Sequence, residues 1–400
     1  MDITEEWAAE QDTAPHGAVA APAIAPSPSR APAPQRAGWR LRSVLMLLAL
    51  VVLANLGMQT NRRYFDVLSS GGNGLEADLA KVHECESFGR VPDVLYLGSS
   101  RAEDGVDPHL IDTTVRSQTG HDILSCNIAM SGSTFASDYF ALKRMIEDGY
   151  APKLIVENLF EFNIDANATV TSYGPAAYHN TWLADLSDAG ALWNQYDDIS
   201  SKLQVVDFVA GKLIPMYGDR LALLKIACRG KHIGPCATSL PGVAWGNQSY
   251  YTRNPLQGWR PISDVTLADT LTPQQQQTLS AEIEMFRTVY LRKFQLLGSD
   301  PDYLTKLVQL AQQHHVRVAL VVSPLHQLYI SLLQPAQWTA IMAYWSSFAQ
   351  RHGVAFYDEH QAPVYTNADF NDPHHLSVSG AEKFSMWMAQ NIVGPDMAAT

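Results

Sequence analysis

The sequence predicts an α/β fold of about five parallel strands, split by a large insertion, and three observations carry that expectation. Between Asp93 and Asn158, short apolar runs rich in β-favouring residues alternate with amphipathic helical ones. The same alternation returns between Asp300 and Val393, and the intervening 165–298 breaks it. Strands joined through helices pair in parallel with right-handed crossovers.

Each element follows from local chemistry. "DVLYLG" from Asp93 reads as the first strand, ending at Gly98. Asp107 and Pro108 supply an N-cap and a first-turn proline for the helix through "HLIDTTVRSQT", which Gly120 ends. "DILSCNIA" is the second strand. "SGSTFASDYFALKRMIEDG" turns at Gly132 into a helix closed by Gly149, and "KLIVEN" is the third strand. Late in the chain, Asp300 is the expected cap of the helix "DPDYLTKLVQLAQQH". "VRVALVVSP" is a buried strand, "PAQWTAIMAYWSSFAQRHG" a helix, "VAFYDE" a strand, and a final helix runs from about Ser379 to Val393. The core is thus expected over 91–164 and 299–400, with the insertion or cap region over 165–298.

What precedes the core has a different character. Residues 1–42 begin with an Ala- and Pro-rich stretch lacking hydrophobic period and read as a disordered tail. An apolar run follows Arg36, Arg40 and Arg42; with its flanks, 43–59 is close to the roughly 17-residue minimum for a transmembrane helix. Arginine on its N-terminal side places the tail in the cytoplasm and everything after Arg62 across the membrane. The run reads as a signal anchor; a cleaved signal peptide and a buried helix are the alternatives. Residues 60–90 are a linker.

The net charge of −12 over 400 residues excludes a general nucleic-acid binder, since no basic surplus neutralises phosphates. Four cysteines are compatible with export. Cys228 and Cys236 flank "RGKHIGP", Cys85 and Cys126 can pair across neighbouring elements, and free buried thiols are the other reading. No CxxC pair suggests structural zinc, and no cofactor is expected. The insertion holds Trp182, Trp193, Trp245, Tyr250, Tyr251 and Trp259, rings that can stack on sugar faces or pack the insertion onto the core.

The residues capable of chemistry stand at the two ends of the core. "GSSR" places Ser100 just past the first strand, where open α/β sheets bind ligands. "DFNDPHHLSVSG" places Asp372 and His375 three apart after the last strand, so a parallel sheet brings all three to one edge. A hydroxyl nucleophile needs a base, and that base needs an orienting carboxylate. Ser100, His375 and Asp372 supply these parts. The blander readings are that Ser99 and Ser100 cap a turn, that Gly132 serves only a tight turn, and that His374 and His375 hold a metal with Asp372 and another histidine, which the absence of a longer ligand series disfavours. Arg101 is expected at the mouth of the site as a substrate contact, or paired with Glu103 or Asp104.

These residues resemble the SGNH, or GDSL, hydrolase superfamily. "GSSR" is similar to its first block with Ser100 as nucleophile and Ser99 in the Asp position. "NIAMSGST" resembles the second block with Gly132 as an oxyanion donor, and "DPHH" the last block. The third block departs: "VENLFEFN" stands where the family has GxND, leaving Asn158 and Asn163 as candidates for the oxyanion asparagine beside the Ser100 and Gly132 N–H groups. The resemblance implies a flavodoxin-like three-layer core. The GSS variant, the anchor and the spacing from His375 to Gly380 look most like the exported proteins of bacterial envelope acylation, including the D-alanyl lipoteichoic acid biosynthesis protein and alginate O-acetylation proteins. That likeness implies transfer of an acyl group, expected to be acetyl, to an exported polysaccharide. A membrane-bound O-acyltransferase would be the partner, and the site would face the periplasm from a single-pass inner-membrane anchor. A carbohydrate esterase with the same triad, and a noncatalytic glycan-binding scaffold of an export complex, are the alternatives.

Overall fold

The computed structural model describes residues 37–60, 82, 85–167, 183–195, 199–218, 257, 259, 267 and 271–399. The chain divides into units 1–51 and 52–400. The expectations for the tail before residue 37, for Trp182, Trp245, Tyr250 and Tyr251, and for the Cys228–Cys236 pair lie outside the described residues, as does most of the linker.

Helix α1 covers Ala37–Thr60. Most of its large apolar side chains from Val44 to Leu56 are exposed. Among the described residues no helix is long and apolar enough to cross a membrane.

In the second unit, five strands form one parallel sheet: β1 (Val94–Leu97), β2 (Ser125–Asn127), β3 (Leu154–Asn158), β4 (Arg317–Val322) and β5 (Ala355–Asp358). Their order is β2-β1-β3-β4-β5, one of the two common orders of doubly wound sheets. In register, Leu97 lies opposite Glu157, Asn158 opposite Val321, and Val322 opposite Asp358. The C-terminal strand ends therefore form one continuous edge.

Helices cover both faces. Strand side chains alternate, so Leu95, Leu97, Ile155, Leu320 and Val322 meet α4 (Phe135–Glu147), α8 (Asp302–Gln313) and α9 (Pro335–His352) in one core. Val94, Tyr96, Val156, Ala319 and Val321 meet α3 (Pro108–Thr119) and the final helix α10 (Val378–Met388) in the other. Such two-sided burial is why these strands read as nearly continuous apolar runs.

Most boundaries follow the expected caps. Asp107 accepts from the Leu110 N–H, and Gly120 ends α3 in the left-handed region. Asp300 is a correction. The residue before α8 is Pro301, while Asp300 pairs with Arg351 and His352 at the end of α9, binding His352 Nε2 at 2.9 Å. The Arg351 guanidinium and the His352 ring take that carboxylate in place of a backbone N–H.

The insertion is clasped at its base by an antiparallel bridge between Asp165 and Leu296. Its described part includes α5 (Ala189–Gln195), α6 (Ile199–Leu213) and α7 (Pro273–Met285), the last continuing into a π-helical turn over Phe286–Tyr290. Where its aromatic stretch is described, it packs on the core: the Trp259 indole donates to Asp104 O at 2.8 Å, and the Gln257 carbonyl accepts from the Asn127 N–H at the β2 edge. Trp193 is half-exposed. A Cys85–Cys126 disulfide, with Cα atoms 6.0 Å apart, ties the approach to the core to β2.

Candidate active site

Ser100 is the first residue of a six-residue helix, α2 (Ser100–Gly105), directly after β1. The turn between them depends on Gly98, whose φ of 129° is disfavoured for L side chains; a Cβ there would lie 2.9 Å from that of Asn158. The short helix is fixed by Asn127 at the end of β2. Its amide donates to Ala102 O at 2.8 Å and Val106 O at 3.0 Å, while its oxygen accepts from Ala129 N–H.

The Asp-His loop is built locally. An antiparallel bridge pairs Phe370 with Leu376, and the Asn371 N–H donates to His375 O, closing a turn around Asp372–His375. Behind it, Ser377 caps α10 through the Gly380 N–H. Gly380 approaches so closely that a Cβ would stand 2.0 Å from Asp369 O. That contact is the physical reason for the glycine five residues after His375.

The three residues meet. His375 Nε2 lies 2.7 Å from Ser100 Oγ, and its Nδ1 lies 2.6 Å from Asp372 Oδ2. The other Asp372 oxygen accepts from the backbone N–H groups of His374 and His375, at 2.9 and 2.8 Å. Burial alone would raise the Asp372 carboxyl, but the hydrogen bonds and charge of the two histidines hold it far below the usual carboxylate range. Burial, then the neighbouring His374 charge, lowers the His375 imidazole to about 4, so it is neutral at pH 7 and able to accept a proton. Ser100 is part-exposed.

Asp372, His374 and His375 place ligand-type atoms within 4.8 Å of one another. Both His375 nitrogens are already committed to Ser100 and Asp372, so this arrangement fits a proton relay better than a cation.

Arg101 corrects an expectation. It is buried, and its guanidinium binds both Glu161 oxygens at 3.0 Å, stacked over Phe160 at 4.1 Å and Tyr329 at 4.9 Å. Its charge is spent inside the fold, away from any mouth contact and away from Glu103 and Asp104. Tyr329 also bonds Glu161.

The expected oxyanion groups separate. The Ser100 N–H starts a helix and has no intrahelical acceptor. Asn158, at the end of β3 beside Gly98, is buried with neither amide atom hydrogen-bonded. Asn163 lies half-buried in a 3-10 turn over Glu161–Ile164. Gly132 occupies a left-handed turn with φ of 75°, anchored to the end of β1 by the Met130 N–H, which donates to Gly98 O at 2.9 Å.

Sequence reasoning named His374 only in the alternative metal reading and missed its partner in the insertion. The His374 ring lies 3.8 Å from that of His375, and its Nδ1 lies 3.0 Å from Asp372 and 3.4 Å from Glu282 of α7. Phe286 and Tyr329 pack on it at 4.7 and 5.7 Å. Burial lowers its pKa, but the adjacent Asp372 and Glu282 carboxylates outweigh burial and raise it overall. The doubled histidine was a visible signal; Glu282 carried none.

Fold and site together define an α/β protein whose sheet edge carries a Ser-His-Asp relay. The chain belongs to the DUF1574 family, described as a protein of unknown function, which matches residues 74–388 and so takes in all three relay residues. No curated protein matches it.

Proposed function

We propose that this protein is an SGNH-type O-acyltransferase that moves an acyl group, expected to be acetyl, onto an exported polysaccharide. The observation that carries the reading is the unbroken relay from Ser100 through His375 to Asp372, with a neutral imidazole next to a part-exposed serine. Ser100 Oγ attacks the acyl carbonyl carbon as its proton passes to His375 Nε2. The tetrahedral intermediate collapses, the donor's leaving group takes that proton, and the acyl group stays on Ser100. A sugar hydroxyl then attacks the acyl-serine, losing its proton to His375, which returns it to Ser100 Oγ. Asp372 keeps the imidazole oriented and stabilises its cationic form. The Ser100 and Gly132 N–H groups, with Asn158, are the groups we assign to the oxyanion.

The exposed apolar side chains of α1 support attachment to a membrane surface, although α1 falls short of a spanning helix, and the disulfide supports an oxidising compartment such as the periplasm. In that setting the acyl donor is a membrane-bound O-acyltransferase partner. Esterase chemistry would use the same relay; transfer requires that the acceptor reach the acyl-serine ahead of water.

The test is intact-protein mass spectrometry after mixing the full-length protein with 4-nitrophenyl acetate, beside Ser100→Ala. One acetyl adduct mapping to Ser100 and missing from the variant supports the reading, as does its faster decay on adding an acetyl-accepting glycan. A folded wild type that takes no adduct, next to a working esterase control, counts against it.

A further inference from the structure

Behind the Ser100 turn lie two acids that the relay does not use. Asp138 of α4 and Glu157 of β3 are both fully buried. Asp138 Oδ1 accepts from Ser133 Oγ at 2.6 Å, and the Gly98 N–H faces this carboxyl and favours its charged form. Both Glu157 oxygens are buried with no donor hydrogen-bonded to them; the group that faces them is the Asp138 carboxyl. Two carboxylates cannot hydrogen-bond each other, and two adjacent buried charges without a cation are prohibitively costly. One proton between them resolves both problems, as in other close carboxyl pairs. Burial pushes both acids upward, Asp138 to about 7, and the Asp138 charge adds to the rise at Glu157.

The pair reaches two backbone segments of the candidate site. Gly98 immediately precedes the two serines, and Ser133 follows Gly132. Gly98 and the second turn are also joined by the Met130 N–H on Gly98 O. From β1 comes the Gly98 N–H and from the 130–134 turn the Ser133 hydroxyl. Among the described residues, no charged group other than the partner acid acts on either carboxyl.

We propose that Asp138 and Glu157 form a proton-sharing carboxyl pair that positions the turn delivering Ser100 and the turn holding Gly132. The pair consists of positioning residues, and its role in transfer rests on the function proposed above. With the proton present, Glu157 donates to Asp138, and Asp138 holds Ser133 and Gly98. With the proton lost, like charges repel and the latch loosens.

Hydrogen–deuterium exchange of the full-length protein, corrected for intrinsic rates, reads the latch without reference to activity. Asp138→Leu removes the acceptor and should speed exchange of peptides covering 98–100 and 130–134 by about tenfold or more. Glu157→Gln supplies a permanent donor, so it should keep wild-type protection at pH 8, where the pair holds one proton, and retain it at pH 10, where the wild type loses it. If Asp138→Leu does not fold, Ser133→Ala should release 130–134 and spare 98–100. Unchanged exchange in the folded acceptor variants, or a wild type that exchanges alike at both pH values, overturns the proposal. In the acetylation assay, Glu157→Gln should keep modifying Ser100 on the alkaline side where the wild type slows. A wild type that takes no acetyl group defeats the proposed function, while exchange still decides the latch.

Discussion

Replacing His374 by phenylalanine tests how the site keeps its base neutral. The substitution keeps a flat ring between Phe286 and Tyr329 but removes the positive charge next to His375. The backbone N–H groups on Asp372 survive, so the orienting carboxylate keeps its main-chain donors. With ring centroids 3.8 Å apart, one charge on each ring at an effective dielectric of about 20 repels by about 4 kcal/mol, or about 3 pKa units, which is a ceiling. His375 sits at about 4 against an ordinary 6.5, and burial is the larger cause of that difference. His374 therefore accounts for about one pH unit. The rate of Ser100 acetylation against pH should show its acidic limb moving up by that amount in His374→Phe, with the rate at pH 8 within about threefold of wild type. An acidic limb that stays in place, or moves down, refutes the electrostatic role.

Other perturbations read the same structure. His375 binds no proton when folded between about pH 6.5 and 4, whereas the unfolded chain does. Stability from this group is therefore full above 6.5 and falls by about 3 kcal/mol on acidification to 4, and thermal unfolding of His375→Gln should lack that part of the decline. Arg101→Met strands the buried Glu161 carboxylate and should cost about 3–5 kcal/mol in denaturant unfolding; an unchanged midpoint would mean the pair contributes nothing. Gly380→Ala forces a Cβ to 2.0 Å from Asp369 O, so the start of α10 must shift, and acetylation of Ser100 should fall by an order of magnitude or more as His375 moves. Reducing the Cys85–Cys126 bond should lower the unfolding free energy by about 2–5 kcal/mol.

Features carried by local pattern were legible in the sequence. Strands β1, β3 and β4 are continuous apolar runs because both faces are covered, and Asp107, Pro108 and Gly120 mark α3 by cap chemistry alone. Ser100, Asp372 and His375 could be joined because a parallel sheet delivers every strand end to one edge. What depends on a distant partner was not legible. Arg101 finds Glu161 sixty residues away, and nothing beside "GSSR" distinguishes that buried pair from a contact at the mouth. Asp300 looked like a cap until α9 brought Arg351 and His352 to it. Asp138 reads as one more polar residue of an amphipathic helix, because its burial is decided by β3 and the Ser133 turn. Glu282 lies in the insertion, whose packing against the histidines no local period announces.

The same sheet edge holds three carboxyl environments, and their donors explain the difference. Asp372 has two backbone N–H groups and an imidazole within 2.9 Å, enough to keep it charged although it is mostly buried. Glu161 is buried more completely and stays ionised because Arg101 binds both of its oxygens. Asp138 and Glu157 have a hydroxyl, one N–H and each other, which cannot support two negative charges. Burial alone would protonate all four acids; the number and charge of the donors decide which carboxylates remain ionised. A relay that must hold His375 neutral but oriented needs a negative charge at Nδ1. Holding the acid pair behind Ser100 at one negative charge instead of two, by one shared proton, would lessen its repulsion of the proposed oxyanion, so the protonation state of that pair would bear on the chemistry several residues away.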